Sequence, residues 1–285
     1  MLVMSSAFQD PGAAAPAAPG RVAIYYGIPS LVNGAGGDVS RAAAVFGAYD
    51  VVVFGDGLQY AAPPERTPWA GAEAHARTRQ IIQLLARTRP STQVFGYVPL
   101  GDTSRLTADE LAEAVRQWHD MGVQGIFLDE AGYDYGVTRD RQNDVVSLIH
   151  DLRMRAFVNA FDPDDVLSDE AVALNSRGGG NPAGEPSRLD EADLLLVESF
   201  VVRNGVRESA DVWKARTEKA ASYRRSTGIT IVGVTTTTRR AGFNRSLCDQ
   251  AWKEAVAWEL SGFGWGEPDY AAGDSVLPPR ACGSR

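Results

Sequence analysis

Two cysteines, three histidines and four methionines in 285 residues leave little material for thiolate or imidazole chemistry. Cys248 and Cys282 are too few for a disulfide framework or a thiolate zinc site, and their spacing leaves both their pairing and the redox compartment open. His75, His119 and His150 each fall in a predicted helix or helix start, without the HxH or HExxH spacing of a histidine-bound metal. Neither a thiolate-bound nor a histidine-bound metal is therefore expected. No apolar run approaches the ~20 residues needed to cross a bilayer, so no membrane span is expected either. Basic residues are the minority charge, 28 Lys and Arg against 36 Asp and Glu, and the formal net charge of −8 argues against nucleic acid as a partner. No GxGxxG opens a helix after the first predicted strand and no P-loop occurs, which removes the usual dinucleotide and nucleotide fingerprints.

The composition that remains is that of an ordinary globular chain, 44% hydrophobic and 22% charged. Residues 1–20 contain the Ala/Pro/Gly stretch Ala13–Gly20 and read as a flexible leader; lacking a basic n-region and a continuous apolar h-region, they do not read as a signal peptide. Residues 21–285 read as one domain. Apolar runs around 22–27, 51–55, 93–98, 122–130, 155–161, 193–200, 230–235 and 262–266 predict eight strands. Helical periodicity separates them over about 37–49, 77–87, 107–121, 138–152, 210–226 and 244–260, with a short fifth helix expected at Val166–Leu174. The Gly- and Pro-rich stretch Asn175–Pro186 after it reads as a loop long enough to fold back towards the acids below. Strands apolar on both faces, alternating with helices, predict a single-domain α/β protein of the (β/α)₈ TIM-barrel class.

In such a barrel the carboxyl ends of the strands carry the chemistry. There the chain offers Tyr26 on strand one, Asp56 after two, Tyr97 on three, Asp129 and Glu130 on four, Asn159 on five, Glu198 on six and Trp265 on eight. Acids, an amide and aromatics are what a saccharide site uses: aromatic faces for sugar rings, amides and acids for hydroxyls, and two carboxyls for glycosidic cleavage. Glu198 ends an apolar run, where a charge is costly unless it faces a polar cleft. Asp129 and Glu130 are adjacent, so in an extended strand they point to opposite faces; one must be primary, with Glu130 curling over the rim. Apolar residues on both faces leave the parity undecided. Like-charge repulsion among these acids is expected to raise one pKa.

The stretch Trp118-His-Asp-Met-Gly-Val-Gln-Gly-Ile-Phe-Leu-Asp-Glu130, with Phe95-Gly-Tyr-Val98 before it, resembles the spherulin-4-like glycoside hydrolases over most of the barrel. The resemblance implies an endo-acting α-1,4-galactosaminidase or N-acetylgalactosaminidase-like enzyme, retaining and with no metal cofactor, with a polysaccharide or oligosaccharide as its partner. It further implies Asp129 as nucleophile, Glu198 as acid/base, and Glu130 as a supporting acid or an alternative in either role. The strand-end residues Tyr26, Asp56, Tyr97, Asn159 and Trp265 are then expected to line the sugar subsites. Family members are often secreted, which points to a secreted or cell-surface setting that this sequence carries no signal for. Two other readings stand beside it: a non-catalytic carbohydrate-binding barrel, and a metal-assisted lyase using Asp129, Glu130 and Glu198 as oxygen ligands. Exact polymer, endo or exo attack and oligomeric state are not encoded legibly.

Overall fold

The structure is a computed structural model that describes residues 18–268, apart from 63, 66, 69, 102, 104 and 239, together with 282 and 283. Eight parallel strands close into a barrel: β1 (Gly20–Tyr25), β2 (Val51–Phe54), β3 (Gln93–Pro99), β4 (Gly125–Asp129), β5 (Arg155–Asn159), β6 (Leu194–Val197), β9 (Thr230–Thr237) and β10 (Gly262–Pro268), with β10 pairing β1. A two-stranded antiparallel hairpin, β7 (Val202–Arg203) and β8 (Val206–Arg207), is inserted after β6. The expected TIM barrel is the fold. Residues 1–17 of the expected leader lie outside the described residues, and the barrel begins one residue earlier than expected, with Gly20 already in β1.

The helices are α1 (Val39–Phe46), α2 (Ala72–Thr88), α3 (Ala108–Met121), α4 (Arg139–Asp151), α5 (Asp164–Leu167), α6 (Ala210–Thr227) and α7 (Arg245–Ala257). Their ends follow local chemistry. Thr107 and Glu110 form a reciprocal capping box at the start of α3, and Gly122, at φ 92°, turns its end towards β4. Asp38 and Thr138 cap α1 and α4 with their side-chain oxygens. The fifth helix departs from expectation. It stops at Leu167, and Val172 instead exchanges backbone hydrogen bonds of 2.8 and 2.9 Å with Asn181. Residues 169–177 are exposed, so no apolar stripe exists to hold a longer helix against the barrel. The glycine-rich loop does fold back: Gly179 packs against the Tyr133 carbonyl, which accepts from Asn175 Nδ2 at 2.7 Å.

Packing is organised in two shells. Val22, Ile24, Val53, Phe95, Phe127, Phe157, Leu194, Leu196, Val232 and Val234 fill the barrel lumen, with Tyr26 and Tyr97 packed on them. The larger outer core lies between strands and helices. Lumen residues alternate along each strand, as the period-two pleat requires. Phe95, Phe127 and Phe157 meet edge to face across three neighbouring strands, with centroids 5.0–5.9 Å apart where Tyr97 is included. Cys248 on α7 is disulfide-bonded to Cys282, their Cα atoms 5.2 Å apart, which answers the pairing that the sequence left open.

Candidate active site

The lumen parity that buries Phe95, Phe127, Phe157 and Leu196 carries forward to the next residue of the same parity on each strand. Tyr97, Asp129, Asn159 and Glu198 are therefore the polar layer that closes the barrel at its carboxyl end. Parity does choose, contrary to the sequence reading: Asp129 follows Phe127 inward.

Asp129 is held by three donors. Its Oδ1 accepts from Asn159 Nδ2 at 2.8 Å and from the Glu130 backbone N–H at 3.0 Å, and its Oδ2 accepts from the Tyr97 hydroxyl at 2.9 Å. Burial pushes the Asp129 carboxyl above its ordinary pKa, while the hydrogen bonds from Asn159, Tyr97 and the Glu130 N–H pull the other way. Like-charge repulsion, the cause expected from sequence, is not the origin of that rise. Burial, and then the charge on Asp129, push the Tyr97 hydroxyl far up, so it remains a donor. Tyr97 is itself braced: its ring meets Tyr26 edge on at 5.2 Å, and its carbonyl accepts from Trp118 Nε1 at 2.9 Å.

Asn159 connects the two acids. The same Nδ2 that reaches Asp129 donates to Glu198 Oε2 at 3.0 Å. These two lengths bound the separation of Asp129 Oδ1 and Glu198 Oε2 at about 5.8 Å, and two amide N–H bonds diverging by ~120° place the oxygens about 5 Å apart.

The backbone at the acids is unusual. Glu130, Ser199 and Val201 are non-glycine residues at φ 55°, 54° and 63°. Val201 is β-branched and fully buried, so this conformation costs on the order of 1 kcal/mol or more. At Glu130 the left-handed turn puts the side chain on the cleft beside Asp129 rather than on the opposite face, as the curl over the rim required. Its Oε2 accepts from the Thr103 hydroxyl. Gly101 makes room for this: a Cβ there would lie 2.7 Å from the Glu130 Cβ and 2.8 Å from the Tyr135 Cβ. Glu198 lies one residue beyond β6, in a turn and not in the strand where the sequence reading had it.

Around these groups is a cavity of about 570 Å³, lined by Asp129, Glu130, Asn159 and Glu198 of the expected set. Tyr97, although a member of the polar layer, and Tyr26 pack on the lumen residues and do not line that cavity. Asp56 is not among the lining residues; its Oδ1 accepts from the Gly57 N–H at 2.8 Å and Gln59 Nε2 at 2.9 Å, which secures its own turn. Trp265 is also absent from the lining. It shares the outward parity of Phe263, packs on the outer core and meets Phe243 edge on at 5.4 Å. Eight of the twelve described lining residues escaped the sequence reading, Phe161 and Arg203 among them. Phe161 is 46% exposed and lies two past Asn159, so parity carried beyond the strand would have found it. Arg203 sits on the inserted hairpin, which no periodicity announces.

Three carboxylate oxygens from Asp129, Glu130 and Glu198 do not come within 4.8 Å of one another, so the described residues do not form the metal site of the lyase reading. The described group that meets that spacing is His150, Asp190 and Asp193, at the amino end of β6. There Asp193 also accepts from the backbone N–H groups of Ala156 and Asp190, at 2.7 and 3.0 Å, and clasps α4, β5 and β6 together. It is remote from the cleft.

No family model and no curated protein matches the chain. Solved structures do resemble it. Malate synthase from Haloferax volcanii superposes with a TM-score of 0.50 at 12% identity, covering 92% of this chain and 72% of that one. Dihydropteroate synthase from Xanthomonas albilineans gives 0.46 at 14% identity over 90% and 89%, and Rubisco from Pyrococcus horikoshii 0.48 at 8% over 87% and 52%. The likeness is one of fold. Barrels of this class host unrelated chemistries, so function has to be argued from the site.

Proposed function

We propose that the protein is a glycoside hydrolase that cleaves through Asp129 and Glu198, acting on a polysaccharide or oligosaccharide. The observation that carries this reading is the single amide of Asn159, which bridges the two carboxylates at a separation of about 5 Å. Retaining glycosidases hold their carboxyls about 5–5.5 Å apart and inverting ones about 6.5–9.5 Å, so the spacing favours the double-displacement route.

Roles follow from the contacts. The three hydrogen bonds to Asp129 all come from donors, which orient the carboxylate and favour its ionised form against the burial that opposes it, as suits a nucleophile. Oδ1 is engaged twice and Oδ2 once, so Oδ2 keeps the freer lone pair for attack at the anomeric carbon. Glu198, whose Oε2 accepts from Asn159 and which lines the cleft, is placed to protonate the leaving oxygen and then to activate water. Glu130 rides above Asp129 and shapes the cleft beside Tyr135. Strained left-handed backbone at Glu130 and Ser199, next to both acids, is the kind of cost that persists where a site needs a particular geometry. The polymer implied by the spherulin-4-like resemblance, α-1,4-linked galactosamine or N-acetylgalactosamine, is the substrate to test first.

The experiment is release of reducing ends from that polysaccharide by the wild type and by folded Asp129→Asn and Glu198→Gln variants. Activity in the wild type and loss in both variants is expected. Oligosaccharide binding with no release by any of the three would instead favour the non-catalytic barrel.

A further inference from the structure

The cleft wall on the hairpin side carries charge of the opposite sign to the β4 side. Arg203 lines the cleft, and its side chain is 52% exposed. Its guanidinium lies 5.6 Å from the centroid of the Phe161 ring, and that of Arg216 lies 4.5 Å from the same centroid. Both arginines converge on Glu208, Arg216 Nη2 at 2.8 Å and Arg203 Nη1 at 3.6 Å from its carboxylate oxygens. Two guanidiniums thus share one carboxylate. Arg216 is buried and holds Glu208 more closely, whereas the half-exposed Arg203 keeps only the longer contact and presents its guanidinium to the cleft. Among the described lining residues Arg203 is the cationic one, in a cavity also lined by the acids Asp129, Glu130, Asp134 and Glu198.

We propose that Arg203 and Phe161 form a subsite for an oxygen-accepting substituent of the saccharide, an acetamido carbonyl or a carboxylate, and that this subsite rejects a free amine. A guanidinium offers only N–H donors. An acceptor oxygen there gains a charge-assisted hydrogen bond, whereas an ammonium, also all donor and also positive, gains none and is repelled. The half-exposed Phe161 ring beside it supplies apolar surface for a sugar face or an acetyl methyl. The inference rests on the saccharide reading of the cleft and not on cleavage.

The test is calorimetric binding of three α-1,4-linked galacto-configured oligomers of equal length, one N-acetylated, one de-N-acetylated and one a galacturonate, to the Glu198→Gln protein with and without Arg203→Gln. Acceptor-bearing oligomers should bind about fivefold more tightly than the amine oligomer, a preference that Arg203→Gln collapses and Arg203→Glu reverses. Arg216 still pairs with Glu208 at 2.8 Å, so Arg203→Gln should move the thermal midpoint little, whereas Arg203→Glu sets a like charge beside Glu208 and lowers it. A preference for the galacturonate that fades with salt identifies the carboxylate as the ligand, and a salt-insensitive preference for the N-acetylated oligomer identifies the carbonyl. A preference untouched by either Arg203 variant, or no binding of any oligomer, overturns the proposal. Wild-type protein that cleaves nothing while the Arg203-dependent preference persists would remove the hydrolase reading and leave the subsite standing.

Discussion

Asn159→Ala separates the bridge from the acids it joins. The side chain donates to Asp129 at 2.8 Å and to Glu198 at 3.0 Å, and hydrogen bonds to charged acceptors contribute about 1.5–3 kcal/mol each. Without the amide, two carboxylates about 5 Å apart repel by roughly 3 kcal/mol at an effective dielectric of 20. The acids then move apart or one takes up a proton, and either change removes the pairing that the reaction needs. The expected result is a fall in kcat of about 10²-fold, near 2.7 kcal/mol, with KM changed less than about threefold. The hydrogen bond from Asn159 lowers the Asp129 pKa, so its loss should also move the acidic limb of the rate profile to higher pH. Steady-state kinetics from pH 4 to 9 measure all three quantities. A variant within about threefold of the wild type, or one changed only in KM, would refute the claim that Asn159 sets the geometry of the pair.

Other perturbations read other parts of the site and fold. Tyr97→Phe deletes the donor to Asp129 Oδ2 but keeps the ring against Tyr26 and Phe127; kcat should fall about tenfold, with the acidic limb displaced upward, and an unchanged pH profile would contradict the role. Asp165, whose carboxyl accepts from the Tyr133 N–H, is pushed up to about 6, chiefly by burial. Its folded pKa lies above the unfolded value, so its contribution to stability is complete below about pH 4 and is lost as pH rises through about 6. Asp165→Asn keeps an acceptor for Tyr133 and should gain about 1 kcal/mol at pH 7.5 with little change at pH 4, read from urea midpoints; parallel stability curves would be the contrary result. Reducing the Cys248–Cys282 disulfide, which closes 34 residues, should cost about 2–4 kcal/mol, seen as a lower thermal midpoint in thiol-containing buffer.

Much of the fold was legible because the strands are short apolar runs and most helices amphipathic ones, with side-chain caps at α1, α3, α4 and α7. Thr107, Glu110 and Gly122 bracket α3 as their residue types predict. The fifth helix failed for a physical reason: residues 168–174 have helix formers but no buried stripe, and Val172 pairs with Asn181 instead. At the site, Asp129, Glu130, Asn159 and Glu198 were legible as polar groups ending apolar strands, and the structure brings them together. Asp56 and Trp265 were misplaced because strand ends were read without their parity. Gly262, Gly264 and Gly266 take the inward positions of β10, which sends Trp265 outward. Arg203 could not be found in that way, since its place depends on left-handed turns at Ser199 and Val201 that no sequence pattern marks.

The central claim is that Asp129 and Glu198 act as one catalytic pair. Asp129→Asn is nearly isosteric, its carbonyl oxygen still able to accept from Asn159 and Glu130, and Glu198→Gln keeps its acceptor for Asn159. Reducing-end release from an α-1,4-galactosamine-containing polysaccharide should be present in the wild type and lower by at least about 10³-fold in each variant, with both variants folded. Full activity in either variant would contradict the account.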